Sequence, residues 1–126
     1  MRKNEVRMLQ WKQVDWTRRP VSVGASKTEA GTGRVIPLNP IAFEALARGA
    51  GRFPESKPAH HVFPWCEARQ IDPTRPTKGW RTAWRTALKR AGLKRLFHDL
   101  RVTCTTKLEE PQTSDMTIMA IARYVS

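Results

Sequence analysis

The apolar positions of this chain fall into short periodic blocks, and most of them have the spacing of helices. From Arg2 to about Gln10 the residues favour helix, with Val6 and Leu9 on one face at the i, i+3 spacing and Arg2 and Glu5 on another. No cap or turn precedes this helix, so the chain reads as opening at an interior point of a longer parent sequence. Pro20–Val23 and Arg34–Leu38 are short β-prone runs separated by SKTEAGTG, whose glycines can supply the positive φ angles of a turn. Two strands and a basic hairpin are predicted there. Asn39 and Pro40 form an N-cap followed by a first-turn proline, and IAFEALARG runs on as a short helix closed by Gly49.

Between Ala50 and Pro76, prolines and glycines punctuate a loop-rich stretch broken by HHVFPW, where few regular elements are expected. Thr77–Ala91 carries Trp80, Trp84, Ala87, Leu88 and Ala91 at helical spacing, with Arg81, Arg85, Lys89 and Arg90 facing elsewhere and Gly92 as the stop. A further helix is expected from His98 to about Glu110, ahead of Pro111. Ser114 then caps a last apolar helix, DMTIMAIARYV.

The length of 126 residues suits one domain with one ordinary core, and a composition of 40% hydrophobic and 27% charged residues is that of a soluble globular protein. Charge narrows the partner class. Lys and Arg number 23 against 11 Asp and Glu, a formal charge of +12 that favours a polyanion, because neutralised phosphates release their condensed counterions. Basicity alone also suits a ribosomal or membrane-surface protein. Cys66 and Cys104 lack metal-ligand spacing and are read as buried free thiols of a reducing compartment. The opening MRKNEVRMLQW lacks an apolar signal core and no run has the length of a membrane span, so a cytoplasmic protein is expected.

The most specific local string is LFHDLRVTCTTKL, in which His98 and Arg101, three residues apart, project from one helical face. Taken alone, that pair also fits a surface helix whose ring and guanidinium meet only solvent or Asp99. Other motifs along the chain decide between these. RKNEVRMLQWKQVDW resembles the first arginine box of the tyrosine recombinases, of which phage integrases are the largest group, and SKTEAGTGRVIPL resembles their β-hairpin lysine segment. FHDLRVTCTTKL resembles their His-x-x-Arg box, and DMTIMAIA the helix leading to their next active-site His or Trp. HHVFP and the approach AGLKRLFHDLR are similar as well. The motifs span nearly the whole chain and keep the family's order, which no one of them would establish alone.

The resemblance implies an α+β, mainly α fold, the tyrosine recombinase catalytic domain, in which a small antiparallel β-sheet of two or three strands around Gln13–Leu38 lies beside a helical bundle. It assigns Arg2 and Arg101 as the two arginines that grip the scissile phosphate. Their planar forks suit charge building on non-bridging oxygens. Lys27 becomes the general acid that protonates the departing 5′ oxygen, against the plainer reading of a hairpin lysine touching backbone phosphate. His98 would help take the nucleophile's proton or hold the phosphate. No metal and no cofactor are expected. The partner implied is double-stranded DNA, with an oligomer formed on it, no membrane, no small-molecule substrate, and a place beside the bacterial nucleoid.

Departures from the family pattern lie near residue 126. Arg123 stands where the family has Gly, and Tyr124 stands where it has the second His or Trp. Tyr124 is the one tyrosine in the chain and falls short of the nucleophile's interval, so the sequence reads as a catalytic domain over residues 1–126 without the nucleophile segment and without the upstream core-binding domain. Three functions are therefore weighed: a recombinase domain that is inactive alone, a catalytically dead DNA-binding remnant of a mobile element, and a basic ribosomal or structural protein.

Overall fold

The computed structural model describes residues 1–94 together with residues 99, 102, 103, 106, 107, 114 and 116. They belong to two compact units, Met1–Gly79 and Trp80–Ser126. The expected helix from His98 and the apolar helix after Ser114 fall mostly outside the described residues.

In the first unit the opening helix, α1 (Lys3–Arg7), is shorter than predicted and is not uncapped. Arg2 precedes it in extended conformation, and the Glu5 carboxylate reaches back to accept the Arg2 amide at 2.6 Å. The helix stops early because the next residues pair with the HHVFP segment instead. Val62 donates its amide to Leu9 O at 2.9 Å, Trp11 donates to His60 O at 3.1 Å, and Gln10 and His61 form an antiparallel bridge. That pairing turns Leu9, Trp11 and Val62 inward.

β1 (Pro20–Ser22) and β2 (Val35–Pro37) are the two strands the pattern predicted, paired antiparallel with Val21 opposite Ile36. Val14 bridges Val21 on the other side, so the sheet's centre is Val21, 1% exposed. Leu9, Trp11, Val14, Val21 and Val62 make one buried cluster, with Leu38, Leu46, Ala50 and Phe63 packed against it. Each fully buried aliphatic side chain there contributes about 1.5–3 kcal/mol.

α2 (Pro40–Arg52) begins as predicted, Asn39 accepting the Ala42 amide on Oδ1 at 2.8 Å. It does not end at Gly49. The helix runs through that glycine, whose missing side chain faces the Trp11 ring; a Cβ there would lie 3.7 Å from it. Trp16 joins the two segments, stacking on Trp11 at 6.1 Å and meeting Phe43 edge-on at 5.7 Å.

The stretch expected to hold few regular elements contains a second hairpin, β3 (Pro64–Glu67) and β4 (Gln70–Pro76). Its turn residues Ala68 and Arg69 both have positive φ, 49° and 65°, the geometry that normally selects Gly or Asn. With no glycine at the turn and with Pro73 and Pro76 inside the strand, the sequence carries no hairpin signal. Cys66 lies on β3 and is exposed, contrary to the buried thiol expected; Cys104 is outside the described residues.

In the second unit, α3 (Arg81–Ala91) starts four residues later than predicted and ends as predicted. Gly92 takes φ 66°, and the Leu93 amide returns to Leu88 O at 3.0 Å. Trp84 and Leu88 are half-buried, while Arg81, Arg85, Lys89 and Arg90 are exposed. The three helices and two small antiparallel sheets described make an α+β protein. None of the described helices is long and apolar enough to cross a membrane.

Candidate functional site

Of the residues singled out in the sequence, Arg2 and Lys27 are described; His98, Arg101 and Tyr124 lie outside the described residues. Arg2 is half-buried at the start of α1. Lys27 is exposed in the segment joining β1 to β2.

That segment is not a tight two-residue turn. The β-ladder continues past the strands through the Val23 amide to Arg34 O and the Gly33 amide to Val23 O, each at 2.8 Å. Gly33 has φ 75°, a conformation that a side chain would oppose. Residues 26–32 then fold on themselves. The Ser26 amide donates to Thr32 Oγ1 at 3.1 Å, and a single turn of 3-10 helix, Glu29–Gly31, closes on Thr28. Lys27 rides on the outside of this small loop.

The loop is tied to α1 through Glu5, which the sequence pattern placed beside Arg2 but did not assign a role. Glu5 is 6% exposed, and a carboxylate so enclosed requires partners for its charge. It has three. Ser26 Oγ donates to Oε1 at 2.7 Å, Arg34 Nη2 donates to Oε2 at 2.8 Å, and the Arg2 amide donates to Oε2 at 2.6 Å. Burial works to raise the Glu5 pKa, but the hydrogen bonds from Ser26 and Arg2 and the Arg34 charge outweigh it and hold the carboxyl below its ordinary value.

Glu5 thus joins the backbone of Arg2, the residue before Lys27, and the first residue before β2. Two positions far apart in sequence, 2 and 26, meet on one carboxylate. Arg7 secures the other end of α1, donating from Nη1 to Thr77 O at 3.1 Å. The local signal for Glu5 was its i, i+3 spacing from Arg2; Ser26 and Arg34 gave none, because their contacts close over 21 and 29 residues.

Comparison with known proteins gives a consistent result. The model of the phage integrase family matches residues 1–126. An integrase of Salmonella phage P22 is 30% identical over 115 aligned residues, which cover 82% of this chain. The chain spans about a quarter, 27%, of that relative's length. No solved structure matches.

Proposed function

Because the chain belongs to the phage integrase family along its whole length, we propose that it is the phosphate-gripping part of a tyrosine recombinase catalytic domain, acting in site-specific recombination of double-stranded DNA. The observation that carries this reading is the Glu5 carboxylate, which joins the start of the Arg2 helix to the loop of Lys27.

In this reading Arg2 and Arg101 hold the non-bridging oxygens of the scissile phosphate. As phosphorus becomes five-coordinate, negative charge grows on those oxygens, and two guanidinium forks meet it with charge-assisted hydrogen bonds. Lys27 donates its proton to the 5′ oxygen as the P–O bond breaks, so that a hydroxyl departs rather than an alkoxide. His98 holds the phosphate or takes the phenol proton of the attacking tyrosine, whose attack leaves a 3′-phosphotyrosyl link. Neither metal nor cofactor has a part in these steps. The protein works as an oligomer assembled on DNA, at the nucleoid.

The attacking phenol is not among these residues. Tyr124, the single tyrosine present, takes the place of the family's second His or Trp and contributes a hydrogen bond to phosphate. We therefore expect these 126 residues by themselves to bind DNA without forming a covalent link to it. Incubation with a nicked suicide duplex, followed by denaturing electrophoresis, is expected to give no protein–DNA adduct. An adduct that disappears in Tyr124→Phe would overturn this assignment of Tyr124.

A further inference from the structure

We propose that Ser26 is a positioning residue for Lys27: its hydroxyl, held by Glu5, fixes the lysine's loop against the start of the Arg2 helix. This rests on the reading of Lys27 as the general acid, whose ammonium must contact the scissile phosphate to protonate the 5′ oxygen. The argument begins with the loop's own bonds. Those within residues 26–32 give it a shape but do not fix that shape on the protein. The 2.7 Å bond from Ser26 Oγ to Glu5 Oε1 does so, and it acts one residue from Lys27. Its acceptor is itself immobilised by Arg34 and the Arg2 amide, so the anchor is a fixed point and not a swinging side chain.

Gly31 supports the same assignment independently. It is buried with an ordinary negative-φ backbone, so conformational freedom does not explain a glycine there. Space does. A Cβ at residue 31 would stand 2.5 Å from Ser26 Oγ and 3.1 Å from Thr28 Oγ1. The loop leaves room on one side of the Ser26 hydroxyl so that it can point at Glu5.

The consequence for function is that Lys27 reaches phosphate from a preset position instead of being ordered at the moment of binding, which would cost affinity. Loss of the hydroxyl also takes one donor from the buried Glu5 carboxylate, but its effect on DNA binding should run through the lysine.

The test is a double-mutant cycle on the full chain with a fluorescein-labelled duplex at low salt. Ser26→Ala is expected to weaken binding about three- to tenfold, and Ser26→Thr to restore it. Gly31→Ala should reproduce Ser26→Ala without removing a hydroxyl. In a Lys27→Ala background, Ser26→Ala should cost nothing more. Backbone 15N relaxation of the free chain should show residues 25–28 loosened by Ser26→Ala while the amides of Val14 and Val21 stay rigid. Additive losses from Ser26→Ala and Lys27→Ala, or unchanged relaxation at 25–28, would overturn the positioning role and leave the phosphate reading intact. A Lys27→Ala variant that binds like the parent would instead remove the phosphate reading, and the positioning role with it.

Discussion

Arg34 Nη2 and Glu5 Oε2 lie 2.8 Å apart, with 8% and 3% of their side chains exposed, in a buried ion pair that closes over 29 residues. Removing one partner of such a pair leaves the other charge enclosed without compensation, which costs more than the pair itself contributes. Arg34→Ala should therefore destabilise the protein by about 3 kcal/mol, a large part of a small domain's stability. The double variant Glu5→Ala/Arg34→Ala should lose clearly less than the sum of the single losses. Urea denaturation read by tryptophan fluorescence checks both. Additivity would mean that the pair is not enclosed as described.

The same carboxylate sets a dependence on acid. Its folded pKa is lowered, so the ionised form favours the folded state. The contribution is complete above the unfolded value of about 4.3 and is lost as pH falls through the lower folded value. Asp15, held low by the Arg18 amide, Glu67 by Lys78 and Asp72 by Thr74 act with the same sign from exposed positions. Glu5→Gln isolates the buried group. Its melting temperature should be lower than the parent's near neutrality, and the two melting curves should converge as pH falls through the ordinary carboxylate range and below it. A constant gap through that range would contradict the assignment.

Local chemistry is what the sequence made legible. Asn39 before Pro40 announced the start of α2, and Gly92 its conformation at the end of α3, because caps act within a few residues. The strands flanking Lys27 were visible as β-branched runs. The β3–β4 hairpin was not, since Ala68 and Arg69 adopt positive φ where a glycine would have marked the turn. Gly49 misled for the opposite reason: it reads as a stop, yet it serves packing against Trp11. Arg2 and Lys27 stood out by their motifs, but the Glu5 link between the Arg2 amide and the loop of Lys27 depends on Ser26 and Arg34, which only the folded chain brings near.

Those two glycines make a paired prediction. Gly49→Ala adds a methyl at ordinary contact distance from Trp11 inside a helix, and should stabilise by about 0.5–1 kcal/mol. Gly92→Ala puts a side chain at φ 66° and should destabilise by about 1 kcal/mol, although nothing lies near its Cβ. Thermal melts of the two variants should move in opposite directions. Destabilisation by Gly49→Ala would mean that the Trp11 ring leaves no room for a methyl group there.

The phosphate grip is tested most directly by measuring duplex affinity across a salt series for the parent chain, Arg101→Ala and Arg48→Ala. Each variant removes one positive charge, but Arg48 is exposed on α2 and paired with Glu44 at 2.6 Å. If Arg101 holds phosphate, its loss should cost about 1–3 kcal/mol of binding and reduce the salt slope by about one, while Arg48→Ala binds close to the parent. Equal losses from the two variants would show that only net charge draws this protein to DNA, and would contradict the grip.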